Sequence, residues 1–178
     1  MSNESMSKRS IVSSAHLVSE QSAELSEFEF GLIVASHAFD RWVVRCMAAA
    51  GQENLARLDG LVLHSVNHRE RDKKLADICF MLNVEDAHTV SYALKKLVRQ
   101  GLVEGTRRGK EMHYSTSADG RAACERYRQV REDCLIAAIR VFAGQREGDL
   151  NRQVGELADL LRALSGIYDQ AARAATSL

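Results

Sequence analysis

The chain has 178 residues, 46% of them hydrophobic, which is enough for one real core and within the size of a single domain. Lys plus Arg and Asp plus Glu stand at 24 each, so global charge carries no bias toward an acidic partner, and any such signal must come from local clustering. The absence of proline, an aromatic content of only 6% and long Ala-, Leu-, Arg- and Glu-rich stretches argue against an all-β sandwich and predict a mainly α fold.

Residues 1–22, rich in Ser, Asn, Gln and Glu, read as a flexible N-terminal leader. From Glu24 onward, Phe28, Leu32, Ala35, Phe39, Trp42 and Cys46 recur at steps of four and three, which puts them on one face of a first helix ending near Gly51. A second helix starts at Asn54 as N-cap, carries Leu55, Leu58, Val62 and Val66 on one stripe, and ends near His68. Residues 24–68 thus form a scaffold and dimerisation part. After the charged run Arg69–Lys74, the apolar positions Leu75, Ile78, Cys79 and Leu82 suit a short third helix, and Asn83 suits a turn.

Asp86 can cap a fourth helix in which Val90, Leu94 and Leu97 share one side while His88, Tyr92, Lys95 and Arg99 occupy the other, with Gly101 as its C-terminal glycine. Two β-like runs, Leu102–Arg107 and Glu111–Thr116, flank Arg108-Gly109-Lys110, a basic hairpin tip. Ser117 can cap a further helix to about Ala143, Gly144 to Gly148 break it, and a last helix follows from Asp149. There Val154, Leu157, Leu161, Leu164, Tyr168 and Ala171 alternate at steps of three and four, a heptad-like seam that requires a helical partner.

A short helix, a tight turn, a helix with a polar outer face and a basic hairpin form the outline of a winged helix-turn-helix, here over residues 69–120, with C-terminal dimerisation helices over 121–178. Its wing has two or three short strands. Between Lys95 and Lys110 six cations face Glu104 alone, a local excess of five positive charges in a neutral chain. Such a surface fits double-stranded DNA. Thr89, Ser91 and Tyr92 suit base or groove-wall contact, through hydroxyls that donate and accept and a ring that can pack on a thymine methyl; His88 stands beside them. Lys95 and Lys96 suit phosphates, and Arg107, Arg108 and Lys110 suit the backbone or minor groove beneath the wing.

The order of two long helices, KKLADICFMLN, TVSYALKKLVRQGLVEG, a basic hairpin, STSADGRA and a long final helix resembles the MarR family of winged-helix regulators over about Glu24 to Ala175. The resemblance implies a homodimer joined through its terminal helices, with Leu157, Leu161, Leu164 and Tyr168 at the interface. It also implies a pseudo-palindromic DNA site and a small effector bound between the dimerisation and DNA-binding parts. Family wings commonly carry an Asp-x-Arg arrangement; EGTRRGKEMHY has no aspartate, so the wing cations are assigned by position and charge.

Other residues invite alternative roles. His64 and His68 lie four apart, a zinc-ligand spacing, yet no cysteine or carboxylate completes a set, so no metal and no cofactor are expected. Cys46, Cys79, Cys124 and Cys134 contain no CxxC pair; reduced thiols in a cytoplasm are the simpler reading, with a thiol- or metal-responsive regulator as the alternative. Phe39, Trp42 and Tyr127 could line an aromatic effector pocket, although they stand at core spacing and ordinary packing is the simpler reading. No run approaches the roughly 20 apolar residues that cross a bilayer, and no phosphate loop or nucleophile–base motif points to an enzyme. A winged helix used only for protein contacts is the remaining rival.

Overall fold

The computed structural model describes residues 15–18 and 22–178. The predicted leader therefore lies largely outside the described residues. The chain divides into two compact units, one up to Arg128 and one from Gln129 to the C-terminus.

In the first unit, α1 (Ala23–Ala49) buries Val43, Cys46 and Met47 near its C-terminal end, whereas Leu32, Ile33, Val34 and Phe39 stay exposed. Its apolar face is thus covered only in part. Helix α2 (Arg57–Asn67) begins after Ala56 and not at Asn54. The reason is local: the Ala56 amide donates to Asp59 Oδ2 at 2.8 Å, so a carboxylate in the first turn reaches back to the N-cap amide and fixes the helix start at Ala56. Gly60 brings α2 close to α1, since a β-carbon there would stand 3.2 Å from Met47 Cγ and from Val43 Cγ1.

Helix α3 (Leu75–Leu82) ends at Asn83, which adopts the left-handed conformation at φ 51° that closes the tight turn. Helix α4 (Ala87–Arg99) is capped as expected, with Asp86 Oδ1 accepting from the His88 amide at 2.9 Å. Its Val90, Ala93, Leu94 and Leu97 join Val62, Leu63 and Val66 of α2 and Ile78 of α3 in one core that also takes in Leu102, Val103, Ala123 and Cys124. Gly101, at φ 71°, then turns the chain into the hairpin.

Strands β1 (Val103–Arg108) and β2 (Glu111–Thr116) pair antiparallel from Val103 opposite Thr116 to Arg108 opposite Glu111, one residue beyond the predicted end of the first strand. A third, single-residue strand is Lys73, which exchanges two backbone hydrogen bonds with Tyr114, at 2.9 and 2.8 Å. The wing base is locked to α5 (Ala118–Val130) by Ser117: its Oγ donates to Gly101 O at 2.6 Å and accepts from the Gly120 amide at 3.0 Å, while its own amide donates to Leu102 O. Gly120 is required there, because a β-carbon would fall 2.0 Å from Leu102 O.

In the second unit, a π-helical turn over Arg131–Ile136 precedes α6 (Ala137–Ala143), and α7 (Glu147–Ala175) follows a short turn at Gly144–Arg146. The break predicted at Gly144 is present, and the last helix starts two residues earlier than expected. None of the residues of α7 is buried; Leu157 is 47% exposed, Tyr168 is also exposed, and Leu161 and Leu164 are half-buried. The predicted fold class, mainly helical with a winged helix-turn-helix and a small β-wing, is the one the chain adopts.

Candidate nucleic-acid interface

The outer face of α4 follows from its burial. With Val90, Ala93, Leu94 and Leu97 committed to the core, His88, Tyr92, Lys95 and Arg99 run along the opposite side and are all exposed. Tyr92 is 68% exposed, unusually open for an aromatic ring in a folded unit, so its ring is available to a partner. Ser91 is half-buried on one flank, and Thr89 is exposed with its hydroxyl donating to Asp86 O at 2.7 Å. The Thr89 oxygen keeps its acceptor capacity.

The cations divide into two groups. Lys95, Arg99 and Lys110 enter no ion pair among the described residues and stand ready for an external anion. Lys96 does not fit the expectation of a phosphate contact: its Nζ lies 2.5 Å from Asp59 Oδ2, whose side chain is only 6% exposed. A lysine that holds a buried carboxylate is a brace between α4 and α2, since leaving that charge alone would be costly. Asp59, Lys96, Thr89 and Tyr92 together border an open, largely apolar cleft of about 450 Å³ between the start of α2 and α4.

At the wing, Gly109 takes φ 64° in the turn, and Arg107 Nε donates to Gly109 O at 3.2 Å, which curls that side chain over the tip. Arg108 pairs with Asp72 in the segment before α3, and Lys74 pairs with Glu111 at 2.6 Å. Hydrogen bonding and charge from Glu111 hold the Lys74 ammonium above its ordinary pKa. The hairpin sequence has no aspartate, and the one that pairs with its Arg108 is Asp72, from the segment before α3. Asp59 and Asp72 are the two site residues that sequence reasoning missed; only the unusual position of Asp59 inside an apolar stripe, LDGLVL, could have singled it out.

The candidate effector residues are not gathered in the same way. Phe39 is half exposed on α1, Trp42 is half-buried, and Tyr127 packs edge-to-face on His64 with ring centres 4.4 Å apart. His64 Nε2 is buried without a hydrogen-bond partner, and burial pushes its pKa below the usual histidine value. His68 is exposed at the end of α2, and among the described residues no three His, Cys, Asp or Glu side chains converge as metal ligands. Cys46 and Cys124 are buried, with burial raising the Cys124 thiol to about 11, while Cys134, expected on an apolar face, is exposed. A thiol pushed that far up is a poor nucleophile at neutral pH.

Residues 55–120 match the family model of the winged helix DNA-binding domain. No curated protein matches the chain significantly by sequence. Among solved structures, the chain resembles the oxidized form of MarR from E. coli at 16% identity and a TM-score of 0.59, over 71% of this chain and 90% of that one. A MarR-family transcriptional regulator from a Rhodococcus species gives 16% identity and a TM-score of 0.62, covering 78% and 95%. FabT of Streptococcus pneumoniae, solved in complex with DNA, gives 15% and 0.62, covering 78% and 99%. At such identities the likeness is one of fold. No helix among the described residues is long and apolar enough to cross a membrane.

Proposed function

We propose, starting from a chain that carries a winged helix DNA-binding domain and has the fold of MarR-type regulators, that it is a sequence-specific transcriptional regulator. The observation that carries this reading is the continuity of the exposed face of α4, with His88, Tyr92, Lys95 and Arg99, into a hairpin whose tip bears Arg107, Arg108 and Lys110. A polar helix of this kind enters the major groove, with Thr89, Ser91 and Tyr92 toward base edges and Lys95 on phosphate. The wing cations lie along the adjacent backbone, Lys110 as the most available charge and Arg108 sharing its charge with Asp72.

The regulator acts as a homodimer on double-stranded DNA. The open seam of α7, with Leu157, Leu161, Leu164 and Tyr168, and, separately, the exposed apolar residues of α1 support this reading, because an apolar helix face left in water calls for a partner. Two copies related by a twofold axis read a pseudo-palindromic site with half-sites about 34–36 Å apart. A small effector shifts that spacing, the protein works in the cytoplasm, and no catalytic step is assigned to it.

Selection of bound sequences from random duplex DNA by the purified protein, with sedimentation to give its mass in solution, tests the reading. A palindromic motif bound by a dimer is expected. Failure to enrich any sequence would instead favour a winged helix used for protein contacts.

A further inference from the structure

A second concave feature lies at the other end of α2, where Val66, Asn67, Arg71, Ser115, Thr116 and Arg121 border a cleft of about 280 Å³. Its composition is unlike that of the α4 surface. Two guanidinium groups, two hydroxyls and an amide line it, and no carboxylate is among the described residues that do so.

The arginines are set by different elements. Arg71 stands in extended backbone after the turn that follows α2, and Arg121 lies in the first turn of α5. Arg121 Nη1 donates to Thr116 O at 2.6 Å, which fixes the guanidinium against the end of β2 and leaves its other N–H groups to be satisfied elsewhere. Between them Thr116 is only 8% exposed, and its Oγ1 is buried with no hydrogen-bond partner. An orphaned hydroxyl in a site lined by cations is a donor awaiting an acceptor.

The surrounding charge adds to this. Lys73 Nζ is held behind Arg71 by His68 O at 2.5 Å and Arg71 O at 2.8 Å. Burial first, and then the Arg71 charge, push that ammonium below its ordinary pKa, against the opposing pull of Asp77 and Asp72. Positive charge is therefore crowded at this end of the fold.

We infer that this cleft is a binding site for a small oxyanion, the carboxylate or phosphate group of a small molecule. Arg71 and Arg121 supply charge-assisted hydrogen bonds, Thr116 and Ser115 donate hydroxyls, and Val66 gives one apolar wall. The volume of about 280 Å³ lies just below the roughly 300–1,000 Å³ of ligand pockets, which fits a compact acid and not a drug-sized ligand. Because the ligand would touch the end of α2, β2 and α5 together, its binding stiffens the base of the wing. That regulatory consequence rests on the DNA-binding reading; the binding itself does not.

The test uses the full chain free of DNA, at constant ionic strength, titrated separately with benzoate and with inorganic phosphate while amide chemical shifts are followed. Saturable shifts centred on Arg71, Ser115, Thr116 and Arg121 are expected with at least one of the two, and which one it is identifies the group as carboxylate or phosphate. Arg71→Gln should weaken binding about tenfold. Thr116→Val, which deletes only the unpartnered hydroxyl, should weaken it several-fold without lowering the melting temperature, an outcome that a merely structural role would not give. Linear shifts with both anions, or saturation unchanged in both variants, would overturn the inference. So would an Arg71→Gln protein that loses DNA affinity while the parent chain takes up neither anion. Anion binding by a chain that selects no DNA would sink the regulator reading and leave this site standing.

Discussion

Lys96 Nζ lies 2.5 Å from Asp59 Oδ2, and the same carboxylate oxygen accepts from the Ala56 amide that opens α2. One side chain thus caps one helix and braces another. Lys96→Met should lower stability by about 1–3 kcal/mol, less than for a fully buried pair because the lysine retains some exposure. The double variant Asp59→Asn with Lys96→Met should recover much of that loss. Urea unfolding of the three proteins checks this, and equal midpoints for the parent and Lys96→Met would refute the brace. Lys95→Ala, one residue away and unpaired, should leave stability within about 0.5 kcal/mol and weaken DNA binding.

At the wing, charge availability predicts a ranking. Lys110→Ala should weaken binding to all sequences and flatten the dependence of log affinity on log salt by about 0.9. Arg108→Ala should do so less, since Asp72 already neutralises part of that charge. Asp72→Asn, which frees Arg108, should tighten binding and steepen the slope. Affinity measured across a salt series decides the order.

Tyr92 differs in kind from these cations. Tyr92→Ala should change which bases are preferred at one or two positions of each half-site, at a cost of about 1–3 kcal/mol at those positions, with an unaltered salt slope. Repeating the selection from random DNA with the variant reads this directly. An identical motif at reduced affinity would show that the ring only packs on the backbone.

Gly120→Ala places a β-carbon 2.0 Å from Leu102 O, against backbone that cannot rotate away. The expected loss is about 3 kcal/mol or more, large among single-atom additions to a packed site. Thermal melting measures it. Gly109→Ala, strained only by its positive φ in an open turn, should cost about 1 kcal/mol.

His64 sets a pH dependence. Burial keeps its folded-state pKa below the ordinary 6.5, so between those two values the unfolded chain binds more protons than the folded one. Its contribution to stability is complete above the ordinary value and is lost as pH falls through the folded one. The melting temperature should drop on going from pH 7.5 to 5.5, and His64→Phe, which retains a ring against Tyr127, should flatten that drop.

Periodicity alone located α3 and α4, because Ile78, Val90, Leu94 and Leu97 bury one face and the intervening polar residues cannot share it. The winged-helix outline was legible for the same reason. Lys96 was not, since its partner Asp59 stands 37 residues earlier and only folding brings the two together. The Asp72 partner of Arg108 is hidden for the same cause, inside the charged run Arg69–Lys74. The start of α2 was misplaced because Asn54 is the better N-cap residue by type, whereas Asp59 caps from inside the helix.

The two-way backbone bridge between Lys73 and Tyr114 has a bearing on how such a protein can diverge. It uses no side-chain atom, so this part of the hairpin's hold does not depend on which residues occupy the tip. Substitution at Arg107 or Lys110, neither of which ties the hairpin to that segment, can raise or lower grip on a duplex without re-aiming the strand pair that delivers it. Strength and orientation are separately adjustable, and descendants of this chain are free to retune one while inheriting the other intact.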